Sequence, residues 1–83
     1  MTKTTIEQPV TVTAVRFNKN FELTPRRIEF QGRTVDFIDD GIRLCIKKGS
    51  VITRIFDLSD GTSLFRLRQE PSSNHWNLLS ISQ

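Results

Sequence analysis

The stretch that decides the fold is Ile55-Phe56-Asp57-Leu58-Ser59-Asp60-Gly61-Thr62-Ser63-Leu64-Phe65-Arg66-Leu67-Arg68. Two alternating apolar runs flank an Asp-Gly pair, and these residues tolerate the positive φ angles that a type I′ hairpin turn needs. With Asp60-Gly61 as a two-residue loop, Phe56 lies opposite Phe65, Leu58 opposite Ser63 and Arg54 opposite Leu67. Directly opposed side chains share a face. Phe56, Leu58, Phe65 and Leu67 therefore gather on one side, and Thr53, Ile55, Asp57, Leu64, Arg66 and Arg68 on the other. This is the pattern of an antiparallel sheet with one face in a core and one arginine-bearing face in water.

Upstream, Arg26–Ile38 repeats the arrangement around Gln31-Gly32. Ile28 then pairs with Val35, Arg27 with Asp36 and Glu29 with Thr34, so Ile28, Phe30, Val35 and Phe37 point inward. Before it, the apolar parity of Val10–Phe17 slips from Val10, Val12 and Ala14 to Val15 and Phe17, which requires a β-bulge near Ala14-Val15. Asn18-Lys19-Asn20 reads as a turn. Phe21-Glu22-Leu23 reads as a short extended piece ended by Thr24-Pro25, where proline holds Thr24 out of the helical region. Asp39-Asp40-Gly41 is another turn. Ile42–Lys48 alternates as a strand with Ile42, Leu44 and Ile46 inward and Arg43, Cys45 and Lys47 outward, and Gly49-Ser50 breaks it. Glu70-Pro71-Ser72-Ser73-Asn74 is a polar loop, and His75–Ile81 supplies the last strand.

No apolar stripe of helical period persists for two turns. The expected fold is all-β: a single small domain built as an antiparallel meander of about six or seven short strands, a twisted sheet or partly open barrel. Polar residues 1–9 read as a flexible lead-in to a domain spanning residues 10–83. The expected core is Val12, Ile28, Phe30, Val35, Phe37, Ile42, Leu44, Ile46, Phe56, Leu58, Phe65, Leu67 and Leu79, with Trp76 at least half buried.

Eighty-three residues make one domain with a thin core, in which six Phe and one Trp concentrate the burial. A single cysteine excludes an internal disulfide. The longest apolar runs fall far short of the ~18 residues of a membrane span, and the first residues lack a signal peptide's apolar segment. A cytoplasmic location without membrane contact is the expectation.

The net charge of +3 is unevenly spread. Acids and bases cancel over residues 1–42, whereas residues 43–68 carry six cations against Asp57 and Asp60. Eight of the twelve cations are Arg, whose planar fork suits phosphate and carboxylate. On the assumed parities Arg43, Lys47, Arg66 and Arg68 share the outer face with Lys48 beside them, a candidate nucleic-acid patch. The aromatic half of such a site is thin, since Phe30, Phe37, Phe56 and Phe65 point inward and leave only Phe17, Phe21 and Trp76 as platforms.

Catalytic chemistry finds little to work with. His75 and Cys45 have no evident partner, and Asp39-Asp40 beside Gly41 are turn formers before they are metal ligands. No zinc spacing, phosphate-cradling loop or dinucleotide fingerprint occurs, so neither a cofactor nor a catalytic residue is expected.

The run Pro25-Arg26-Arg27-Ile28-Glu29-Phe30-Gln31-Gly32-Arg33, the Asp60-Gly61 hairpin and Trp76-Asn77-Leu78 together resemble a group of small bacterial β domains of no assigned activity. The resemblance covers residues 25–78 and implies an all-β fold in a bacterial cytoplasm, with no functional residue to transfer. A non-enzymatic binding module is the expected function. One reading has nucleic acid on Arg43, Lys47, Lys48, Arg66 and Arg68, and there an Arg66→Ala, Arg68→Ala double change would weaken binding at under ~0.5 kcal/mol of stability. The other has a protein partner, or a weak homodimer of an otherwise monomeric chain, at a sheet edge or on Ile55 and Leu64.

Overall fold

The computed structural model describes residues 2–17, 19–71 and 75–83. Seven strands form one antiparallel sheet: β1 (Lys3–Phe17), β2 (Leu23–Phe30), β3 (Arg33–Asp36), β4 (Ile42–Lys48), β5 (Val51–Ser59), β6 (Leu64–Gln69) and β7 (Trp76–Ser82). Their spatial order is β3-β2-β1-β7-β6-β5-β4. Two runs of neighbouring strands, β1-β2-β3 and β4-β5-β6-β7, are thus joined through β1. No helix occurs among the described residues, and none is long and apolar enough to cross a membrane.

β1 is the hinge of the sheet. Its first part, Lys3–Val10, pairs with β7, while Thr11–Phe17 pairs with β2 on the other side. The expected bulge is present, as register shifts on either side of Ala14. The lead-in expected over residues 1–9 is instead strand from Lys3, because it completes the hydrogen bonding of β7. A second irregularity between Thr5 and Gln8, with Glu7 at φ 51°, accommodates Pro9 in that ladder. Thr24-Pro25 likewise lies inside β2 rather than ending an extended piece. Pro25 sits opposite Val15 at the bulge, where a missing N–H is tolerated. Of the turn expected at Asn18-Lys19-Asn20, Lys19 and Asn20 are in a turn, while Asn18 and the loop segment Ser72–Asn74 lie outside the described residues.

The Gln31-Gly32 hairpin has the expected register, Ile28 to Val35 and Arg27 to Asp36, and both loop residues adopt positive φ (51° and 75°). The Asp60-Gly61 hairpin differs. Leu58 pairs with Phe65 and Phe56 with Leu67, so the loop is Asp60-Gly61-Thr62-Ser63 and the register is displaced by two residues. The cause is Asp60: its Oδ1 accepts hydrogen bonds from the Thr62 and Ser63 amides at 2.9 and 2.8 Å, closing a wider loop than two residues allow. A two-residue displacement preserves parity, so Phe56, Leu58, Phe65 and Leu67 still share the core face.

These amides, Ser63 first and then Thr62, also hold the Asp60 carboxyl below its ordinary pKa of 3.8. A carboxylate depressed on folding stabilises the fold above its unfolded pKa, and that contribution fades as pH falls through the folded value. Asp60→Ala is therefore expected to unfold at lower urea than wild type at pH 7, with the gap closing below about pH 4. A gap independent of pH would show that the carboxylate charge is not what holds the loop.

The sheet stays open between β3 and β4 yet curls until its halves meet. Phe37, after β3, packs edge-on against Phe65 of β6 at 5.6 Å between ring centroids, and the Ile38 amide donates to Ser59 O at 2.9 Å. The concave side collects Ile28, Phe30, Val35, Phe37, Phe56, Leu58, Phe65, Leu67, Trp76 and Leu78 in one core. Leu78 takes the place expected of Leu79, because buried Trp76 sets the parity of β7 and Leu78 opposes Leu67.

Candidate association surface

Strand β4, expected to turn Ile42, Leu44 and Ile46 inward, is turned the other way. Ile42, Leu44 and Ile46 are 62, 44 and 50% exposed. The reason is the length of one loop. Gly49-Ser50 is a two-residue connection with Gly49 at φ 63°, which pairs Lys48 with Val51 and, further along, Arg43 with Phe56 and Leu44 with Ile55. Phe56 belongs to the core, so Arg43 must share its side and Leu44 must share that of Ile55.

Arg43 consequently lies beneath the sheet rather than in water. Its guanidinium stacks over the Phe56 ring at 5.0 Å. It donates to Glu22 Oε2, to the Leu23 carbonyl and to Thr24 Oγ1, clamping β4 to the start of β2. Its buried Nε has no partner among the described residues.

The five-residue patch does not assemble. Arg43 and Lys47 share the parity of Phe56, whereas Arg66 and Arg68 oppose Asp57 and Ile55 on the convex face. Arg66 grips the Asp57 carboxylate with two hydrogen bonds of 2.7 and 2.8 Å. Arg68 pairs with Glu70 at 3.0 Å. Hydrogen bonding by Asp57, reinforced by its charge, raises the Arg66 pKa further from neutrality. Three of the five cations are thus engaged by acids, leaving Lys47 and Lys48 near the end of β4.

Asp57 is almost enclosed, its side chain 10% exposed, so Arg66 is a structural partner rather than a spare surface cation. Arg66→Ala is expected to cost about 1–3 kcal/mol, by leaving a largely buried carboxylate unpaired. That exceeds the near-silent change implied by outer parity alone. Urea unfolding of Arg66→Ala and the Asp57→Asn, Arg66→Ala pair measures it, and the double change should recover part of the loss.

Ile55 and Leu64 are not neighbours in the displaced register: Ile55 opposes Arg68 and Leu64 opposes Ser59, with the Asp57–Arg66 pair between them. Ile55 instead backs Leu44. The convex face of β4–β5 therefore presents Ile42, Leu44 and Ile46 in a row, supported by half-buried Ile55. β6 pairs with β5 only from Arg54 onward, so the segments Ile46–Lys48 and Val51–Thr53 extend beyond it as a two-stranded arm. Val51 and Ile52 add exposed apolar surface there. Sequence parity within β4 gave no sign of this row. Counting residues across the Gly49-Ser50 loop from the core face of β5 does find it.

Elsewhere, Asp39 accepts from the Ser59 amide at 3.2 Å and Asp40 pairs with Arg16 at 3.1 Å, fastening the β3–β4 connection to its neighbours. Phe17 and Phe21 are exposed, while Trp76 is buried against Phe56 and offers no stacking platform. Cys45 is an exposed free thiol on β4. Among the described residues no group of three or more His, Cys, Asp or Glu could hold a metal ion. A recess of about 650 Å³ opens where β1 parts from β7, between Val12, Val15, Leu23 and Trp76. Compared with known proteins, the chain matches no family model, no curated protein and no solved structure.

Proposed function

We propose that this chain is a non-enzymatic association module that docks a protein partner through β4, using its free backbone edge and the apolar row beside it. The observation that carries the reading is the exposure of Ile42, Leu44 and Ile46 on a strand paired only with β5. Isolated exposed apolar side chains are ordinary, but a row of them along an unpaired edge is a template for a further strand. The two edges of the sheet differ in this respect. β3 is four residues long and carries exposed Arg33, Thr34 and Asp36, whereas β4 is seven residues long, its exposed cations Lys47 and Lys48 confined to the last two positions beyond the apolar row. Short charged edges resist added strands, and longer apolar ones accept them.

A photo-crosslinking amino acid placed at Leu44, with Thr34 on β3 as control, tests the reading in the cells that make the protein. A discrete adduct from position 44 and none from position 34 is the expected result; no adduct from either overturns it. A low-salt oligonucleotide titration belongs beside it. Lys47, Lys48 and Arg54 have no ion pair among those found for the described residues. Tight, steeply salt-dependent binding abolished by changing them would transfer the function to nucleic acid.

A further inference from the structure

Strand β4 has the pattern of an edge that matches itself. We propose that its partner is a second copy of this chain, with β4 pairing antiparallel to the partner copy's β4 about a twofold axis at Leu44. The proposal rests on the reading of β4 as the docking element and adds the identity of the occupant and the register.

A twofold axis perpendicular to the sheet makes two edge strands antiparallel and keeps their faces aligned, so residues of equal parity must oppose one another. The axis therefore falls on a residue, and the charges of β4 choose which. An axis at Arg43 sets Arg43 against its own copy. An axis at Cys45 sets Arg43 against Lys47 twice. Like charges directly opposite are unfavourable. An axis at Ile42 or Ile46 avoids this, but neither lets the whole apolar row meet itself.

An axis at Leu44 does. Leu44 opposes Leu44 of the second copy, Ile42 opposes Ile46 and Arg43 opposes Cys45. Apolar matching and avoidance of like charge thus select one register. The backbone groups along the free edge of β4 would then be satisfied in a sheet continuous through both copies.

Sedimentation velocity of the wild-type chain from micromolar to millimolar concentration is the first measurement, with a concentration-dependent dimer expected. Leu44→Arg places like charges on the axis at an exposed position. It should be monomeric where wild type is dimeric, with its urea midpoint at monomeric concentration unchanged. The register is read from a Leu44→Cys, Cys45→Ser chain, whose only thiol lies opposite its own copy. A short bis-maleimide should link it into a covalent dimer faster than it links wild type through Cys45. A wild-type chain that is monomeric throughout, a dimer that survives Leu44→Arg, or faster linkage through Cys45 overturns the proposal. If the chain is monomeric while the probe at position 44 captures a different protein, the second copy is wrong and the docking reading stands. If that probe captures nothing, both fall.

Discussion

Gly41→Ala is expected to cost about 2–5 kcal/mol, combining the strain of a left-handed backbone with overpacking. Gly41 adopts φ 60°, which L residues rarely do, and it is pressed against β5. A Cβ there would collide with the Asp57 carbonyl oxygen and lie 2.7 Å from Leu58 Cδ2. A side chain can rotate away from a collision, but a carbonyl paired within a central strand cannot without disturbing the ladder. So small a domain has little stability beyond that range, and partial unfolding at room temperature is the expected outcome. Gly49 is the control. It has a similar φ of 63°, but a Cβ there meets nothing within 4 Å. Gly49→Ala should therefore show the backbone strain alone, about 1–2 kcal/mol. Urea midpoints of the two variants separate these effects, and equal losses would mean that the β3–β4 connection does not rest on β5.

Phe56→Ala carries the second large effect, about 3–5 kcal/mol. Phe56 is 1% exposed, packs against Trp76 at 5.3 Å between ring centroids and supports the Arg43 guanidinium on its face. Its removal opens a cavity in the middle of β5 and leaves Arg43 without the surface it lies on. Phe56→Leu keeps most of the apolar volume but loses the ring, so it should fall between Ala and wild type. Phe17→Ala, at an exposed aromatic, should stay within about 0.5 kcal/mol. A Phe56→Ala loss no larger than that of Phe17→Ala would place the core elsewhere.

Arg43 shows why an excess of cations along the chain does not by itself make a continuous patch on the fold. An excess of cations in residues 43–68 is a property of the sequence, but which cations reach solvent depends on where the acids arrive. Glu22 approaches Arg43 from a different strand pair, and Asp57 meets Arg66 only because the Asp60 loop is wider than two residues. Neither meeting has a local signature. The exposed row on β4 had one, in the loop between β4 and β5. An alternating run takes its orientation from the face already assigned to its paired neighbour, and its own hydrophobicity alone does not set it.

Turns and parity were legible in the chain by itself. Gln31-Gly32 specified its hairpin to the residue, the slip at Ala14-Val15 marked a bulge, and the Asp60-Gly61 stretch put four core residues on one face despite the altered register. These features depend on φ preferences and on the two-residue period of a strand, which act locally and without knowledge of the rest of the fold. Tertiary structure alone decided that residues 3–9 complete β7, that β1 is shared by both halves, and that the sheet curls until Phe37 meets Phe65. It also decided that Ile42, Leu44 and Ile46 face outward while a cation lies under the sheet. An alternating strand has two usable faces, and the face that becomes the core is fixed by hydrogen-bond register with strands already committed. On β4 that constraint overrode the hydrophobicity of three side chains, because turning them inward would have required breaking the ladder with β5.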